Sequence, residues 1–258
     1  MRRWWIAGGV IVLWAAALLL LWRRQAAVTA TDRLVASAMQ IAPSTYYYTL
    51  FQGGKQIGVA SSAIDTSSHT MRMTDILNAR TVVYGDSQTV AGSSTAYLSR
   101  GIVLDSFALA LGGDQGPLRL TGVPKGQERV FLPTLAPMAL MLSGNAKVGR
   151  SGRYWVFNPL SQRVELTTLN ITAESLLSVV DSARYDVARK SWVPARTDTV
   201  RAWNVTTPAA SVSAWVDAEG RVVTASEPGG MSLTRTAYEI ASVNMRATHP
   251  AKTRTPTQ

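Results

Sequence analysis

The chain contains no cysteine, so a disulfide framework, a thiolate zinc site and a cysteine nucleophile are all excluded. It has only two histidines, His69 and His249, too few for an all-histidine metal centre. Charged residues make up just 16% of the sequence, and acids are the scarcer kind, 16 against 26 Lys+Arg. Beyond the first two dozen residues there is no long hydrophobic run, which excludes a polytopic membrane protein. A hydrophobic fraction of 47% excludes disorder over most of the chain, and 258 residues suffice for one or two domains with a sizeable core.

Sequence signatures of catalysis are missing too. There is no G-x-S-x-G elbow, no P-loop and no dinucleotide fingerprint. His69 lies in Ser67-Ser68-His69-Thr70, which reads as a turn, and His249 precedes Pro250 near the end, so neither sits where it would activate a nucleophile. The acids are dispersed, and Asp217 with Glu219 falls in a turn. Gly112-Gly113-Asp114-Gln115-Gly116 lacks the strand–helix context of a phosphate cradle and reads as a plain turn. Asn170-Ile171-Thr172 and Asn204-Val205-Thr206 match the glycosylation sequon inside strand-like stretches, where chance matches are expected in a Thr-rich chain. The expectation is a non-enzyme with no cofactor and no metal.

What the sequence does contain is clearest at its start. Trp4 to Trp22, WWIAGGVIVLWAAALLLLW, carries no charge, and as a helix it spans roughly 28 Å, close to the hydrocarbon core of a bilayer. Trp4, Trp5 and Trp22 sit where indole rings favour the headgroup level, and Arg2, Arg3, Arg23 and Arg24 flank the run. The alternative is a cleaved signal peptide with Val28-Thr29-Ala30 as a small-residue site, but the run exceeds the ~7–15 residues of a signal core and two arginines follow it directly. Gly8 and Gly9 meet Val12 and Leu13 four residues on, so no small-xxx-small dimer face is encoded. Basic charge at a short N-terminus favours keeping that end in the cytoplasm. The expectation is a single-pass inner-membrane anchor with the body on the periplasmic side; the converse orientation leaves the body in the cytoplasm.

The net charge of +10 is concentrated at the two ends. Four arginines fall in residues 1–24, and Arg246, Lys252 and Arg254 fall in the tail 245–258, leaving 19 basic against 16 acidic residues in the body. That near balance is not a nucleic-acid footprint, so no nucleic-acid partner is expected. The Pro-containing tail reads as disordered and basic.

Residues 25–43 read as a juxtamembrane helix or linker, and from Ser44 the period of the pattern becomes two. Tyr46–Phe51, Gly53-Gly54 and Gln56–Val59 form a hairpin signature. Met71 to Tyr84 alternates, with Asp75 interrupting the apolar face, and implies one long strand or two joined by a bend. Gly85-Asp86 reads as a turn, followed by strands at Thr89–Leu98, Ile102–Leu111 and Leu118–Val123. Arg163 to Thr172 alternates at Val164 and Leu166, then slips phase to Leu169 and Ile171, which predicts a bulge near Thr167-Thr168. Val212–Val216, the turn Asp217–Gly220 and Arg221–Thr224 make a last hairpin. The expected body, 44–244, is mainly β: a curved antiparallel sheet, half-open barrel or sandwich. One short covering helix is expected at Leu132–Leu142, after Pro133 and before Ser143-Gly144-Asn145. Its Met138, Leu140 and Met141 read as core, or as an apolar patch for a partner or lipid.

Gln56-Ile57-Gly58, the helix at Pro133–Leu142, Val156-Phe157-Asn158-Pro159-Leu160-Ser161, Trp215–Val222 and Met231–Thr236 occur in an order that resembles a known domain. It is the β-rich, non-catalytic domain of some bacterial envelope transglutaminase-like proteins, and the likeness runs from about Tyr46 to Glu239. The Cys-His-Asp machinery of that family has no counterpart here, so the resemblance implies no activity. It implies a β-domain displayed outside the inner membrane as a binding or docking module. In plan, one span and a periplasmic β-fold, the chain is also similar to the single-span component of lipopolysaccharide export machinery, without any specific motif of it. Two functions follow: an anchored scaffold that holds an envelope protein, or a carrier of a lipid-like ligand in a half-open β-structure. A carrier predicts an unfilled apolar cavity of roughly 300–1,000 Å³; a scaffold predicts a filled interior and an exposed apolar patch.

Overall fold

The structure, a computed structural model, describes residues 34–83, 86–112, 116–124, 129–144, 146–158, 161–207 and 212–243, together with Trp14 and Leu18. The remainder of the Trp4–Trp22 segment, its flanking arginines, residues 25–33 of the 25–43 linker and the 245–258 tail lie outside the described residues. So does the predicted turn at Gly85. Among the described residues no helix is long and apolar enough to cross a membrane.

The body is mainly β, one large curved sheet that does not close. After a helical segment α1 (residues 34–39), the chain runs through β1 (Ser44–Gln52), β2 (Lys55–Thr66), β3 (Thr70–Val83), β4 (Asp86–Ser99), β5 (Leu104–Gly112) and β6 (Leu118–Gly122). Then come β7 (Val130–Phe131), α2 (Leu135–Leu142), β8 (Ser151–Asn158), β9 (Arg163–Asp186) and β10 (Ser191–Thr207). The last elements are β11 (Val212–Val216), β12 (Val222–Ser226), β13 (Met231–Thr236) and a π-helical turn at Glu239–Val243. The sheet order is β6-β5-β4-β3-β2-β1-β13-β12-β11-β10-β9-β8-β7, and every described pairing is antiparallel except β7 with β8. Two meanders therefore meet where the first strand pairs with the last, with Tyr48 opposite Arg235.

The β1–β2 reversal uses Gly53 and Gly54 at φ +55 and +78, the two left-handed residues of a primed turn whose twist suits a hairpin. Thr70 to Val83 is one unbroken strand, in register with β4 along its whole length. The bulge predicted at Thr167-Thr168 is absent. β8 and β9 pair without a break from Ser151–Asn170 to Asn158–Arg163. Val164 and Leu166 instead lie on the outer face, 46% and 49% exposed, while Leu169 and Ile171 turn inward. The phase slip marks a change of buried face, not an inserted residue. The irregularity comes further on, where Asn204 pairs Ala173 but Val205 pairs Ile171. There the unpaired Thr172 donates its hydroxyl to Asn204 Oδ1 at 2.8 Å.

Curvature brings the inner face onto one core. At one end, Leu34, Ala38 and Ile41 pack with Met71, Leu98, Ile102 and Leu104, and Arg100 donates to the Met39 carbonyl. α2 lies inside, burying seven of its eight residues, and joins Phe131, Val156, Leu169, Trp203 and Val216 in the same core. Phe107 of β5 meets Phe157 of β8 at 4.8 Å between centroids, so the two ends of the sheet approach each other without pairing. The β9–β10 hairpin outgrows its neighbours and curls over the outer face, where Val179, Ala202 and Val223 form a second, small cluster with Leu177, Val200 and Trp215.

Candidate functional site: a half-open cavity with a polar row

The strands of the first meander deliver their inner side chains in register, so residues far apart in sequence line up across the sheet. Ser44 stands opposite Ile64, Ile64 opposite Met73, Met73 opposite Ala96 and Ala96 opposite Phe107, an almost wholly apolar row. Two residues further along each strand, Tyr46, Ser62, Asp75 and Ser94 stand opposite one another in the same way. The third row is Tyr48, Ala60, Leu77, Gly92 and Leu111. A polar row about 15 Å long, at ~4.8 Å per strand, thus crosses an otherwise apolar wall.

The first row is buried under α1 and α2, but the third is not filled. Ala60 and Gly92 are small, and the space they leave forms a half-open cavity of about 300 Å³. Its walls include Leu77, Leu109, Leu111, Val222, Leu233 and, from α2, Met138. Such a volume lies at the low end of small-molecule sites, and an apolar lining of this kind holds water poorly.

Asp75 lies in the wall. Ser94 Oγ donates to its Oδ2 at 3.1 Å, and the nearby hydroxyls of Ser62 and Thr134 favour the ionised carboxyl. Burial pushes the Asp75 carboxyl above its ordinary value, against the pull of these three hydroxyls. Among the described residues no basic side chain forms an ion pair with it. On the neighbouring row the Tyr48 phenol is pushed up to about 12, chiefly by desolvation and against the Arg235 charge.

At the Tyr46 end two buried arginines reach the wall. Arg235 lies 4.2 Å from the Tyr46 ring centroid, pairs with Asp217 at 2.9 Å and donates to the carbonyls of Arg221 and Val222. Arg221 donates to the Tyr46 hydroxyl at 2.6 Å and to Ser44 Oγ, and pairs with Glu219. Each guanidinium therefore has its own carboxylate. The Asp217–Gly220 turn builds both pairs: Asp217 Oδ1 accepts from the backbone N–H of Glu219 and Arg221, and Gly220 adopts φ +78. A Cβ on Gly220 would stand 2.3 Å from Met138 Cα, so this turn seats α2 against the cavity.

The helix residues Met138, Leu140 and Met141 are only 1%, 1% and 4% exposed. They do not form a surface patch, because α2 is enclosed by the sheet; Met138 alone of the three faces the cavity. Arg2, Arg3, Trp4, Trp5, Trp22, Arg23 and Arg24 lie outside the described residues. His69 is exposed in the β2–β3 turn, and among the described residues no three His, Asp or Glu side chains gather as a metal site. A larger hollow, about 570 Å³, separates the β9–β10 arm from β1 and β13; its lining mixes Val179, Val180 and Val200 with Asp181, Asp198, Arg235 and Glu239.

In the sequence the signal of Asp75 is its interruption of an apolar face. Arg221 and Arg235 read in the sequence only as parts of the last hairpin and of the closing run. An arginine at an inward position of the alternating run Met231–Thr236 is the same kind of signal.

No protein-family model matches this chain, and no curated protein matches it. Two solved structures are similar in shape. One is a DUF1089 family protein from Pseudomonas aeruginosa, 10% identical, with 66% of this chain and 90% of that chain covered and a TM-score of 0.38. The other is a β-barrel-like protein of the domain of unknown function DUF1849 from Brucella abortus, 11% identical, with 76% and 95% covered and a TM-score of 0.39.

Proposed function

We propose that this chain is a non-enzymatic binding module of the bacterial envelope that carries a lipid-like ligand in the half-open interior of its β-domain. The observation that carries this reading is the cavity of about 300 Å³ lined by Leu77, Leu109, Leu111, Leu233 and Met138. A wall of leucines around unfilled space suits an acyl or alkyl chain, whose transfer from water is favourable by ~0.8 kcal/mol per buried methylene. The Trp4–Trp22 run supports a single-pass anchor in the inner membrane with the body on its outer side. That address places the cavity next to a source of amphiphiles.

A scaffold for an envelope protein is the second reading. It is favoured by Val123, Val164 and Leu166, which are 67%, 46% and 49% exposed. Native mass spectrometry of the full chain, extracted gently from its membrane, separates the two. The carrier predicts a bound amphiphile that is lost in Ala60→Leu. A protein partner on a chain with an empty cavity would replace the carrier by the scaffold.

A further inference from the structure

We propose that the polar row selects the ligand's headgroup, and that the preferred headgroup is a protonated amine on a single-chain amphiphile. This rests on the carrier reading and adds the chemistry of the head. Ser94 donates its hydroxyl to Asp75, and the hydroxyls of Ser62 and Thr134 stand beside the carboxyl. A hydroxyl that has given its only proton to a carboxylate has only lone pairs left to offer. Around Asp75 the wall therefore presents acceptors: the hydroxyl oxygen of Ser94 and the remaining lone pairs of the carboxylate. An ammonium carries three donors and no acceptor, the complement of that set.

Charge points the same way. Arg221 is matched by Glu219 and Arg235 by Asp217, which leaves Asp75, among the described residues, as the charge in the cavity wall without an opposite one. A carboxylate desolvated among leucines is costly unless paired, and a cation brought by the ligand would pair it. A carboxylate head would meet a like charge, and an alcohol would supply one donor and no charge. Because Asp75 stands in the row next to Ala60 and Gly92, an amine seated on it leaves the attached chain to run along Leu77, Leu109 and Leu111. The head and chain sites are thus adjacent rows of the same strands.

The test is titration calorimetry at neutral pH on the full chain with three probes that share one decyl chain: decylammonium, decanol and decanoate. Decylammonium is expected to bind at least about tenfold more tightly than decanol, or ~1.4 kcal/mol, with decanoate weakest. Asp75→Asn, an isosteric change, should bring the three to within about twofold of one another by removing the charge; Ser94→Ala should weaken decylammonium less. Thermal unfolding checks that both variants are folded. Equal binding of decylammonium and decanol, or a preference unchanged in Asp75→Asn, overturns the headgroup assignment while leaving the carrier standing. Failure of all three probes to bind the wild-type chain overturns both.

Discussion

Replacing Ala60 with Leu puts the cavity itself to the test, because the sign of the effect depends on whether the space is empty. Ala60 lines the cavity between Tyr48 and Leu77 on adjacent strands, with Gly92 one strand further. Leucine adds three carbon atoms. Burying them contributes at most ~2.4 kcal/mol at ~0.8 per methylene, less about 0.5–1 kcal/mol for the rotamer freedom lost. The half-open geometry leaves part of the new surface wet, so a net gain of about 1–1.5 kcal/mol is expected, a rise in Tm of roughly 2–6 °C for a domain of this size. Urea unfolding gives the free energy and a thermal scan gives the shift, each with and without decylammonium. The variant should be more stable alone and gain less from the amphiphile, since binding to the native state stabilises it by mass action. A loss of ~1–3 kcal/mol, the usual cost of overpacking, would mean that the space is already occupied and would refute the cavity.

Three further outcomes follow from the same geometry. Gly220→Ala should destabilise by about 3 kcal/mol or more in chemical denaturation, because the residue sits at φ +78 with its Cβ position 2.3 Å from Met138 Cα. Leu140→Asp combined with Met141→Asp should abolish folding, since both side chains are buried in α2 and each unpaired charge costs several kcal/mol; loss of near-ultraviolet circular dichroism reports it. The third concerns Asp75, whose folded pKa lies above the 3.8 of a free carboxyl. As pH rises from that value the unfolded chain gives up this proton first, so the native state binds more protons and loses stability through the window up to its raised pKa. Asp75→Asn lacks this slope. Its stability relative to wild type should therefore climb as pH rises through the window and level off above it, read as the difference between two urea-midpoint profiles; a flat difference would refute the burial of the charge.

Much of the architecture was legible because strands such as Thr70–Val83 alternate over most of their length. Gly53-Gly54, the Asp217–Gly220 turn and the Pro-led helix carry local turn and capping chemistry that fixes where elements reverse. The long β9–β10 hairpin was less visible. Residues such as Arg184, Arg196 and Asp198 lie on an arm exposed on both faces for part of its length, so the apolar alternation that marks a half-buried strand fades there. The phase slip at Val164–Ile171 misled for a related reason: outward apolar residues are ordinary, and only register shows which face is inside. The site was nearly illegible because it is a row across strands. Tyr46, Ser62, Asp75 and Ser94 acquire their meaning from pairing, which no single segment encodes. The cavity is harder still, since Ala60 and Gly92 mark it by what they lack.

Pairing of the opening strand with the closing one also constrains how the chain comes to be folded. Tyr47 finds Thr236 only after the intervening residues have been made, so during synthesis β1 has β2 on one side and an open edge of backbone donors and acceptors on the other. Contacts of such long sequence separation slow folding, because loop closure precedes the reward. A nascent chain truncated before Met231 would emerge with Tyr46 and Tyr48 deprived of Arg235, its unpaired aromatic edge free to recruit a neighbour. Premature termination near the end of this gene should therefore produce an aggregating species, rather than a shortened but serviceable one.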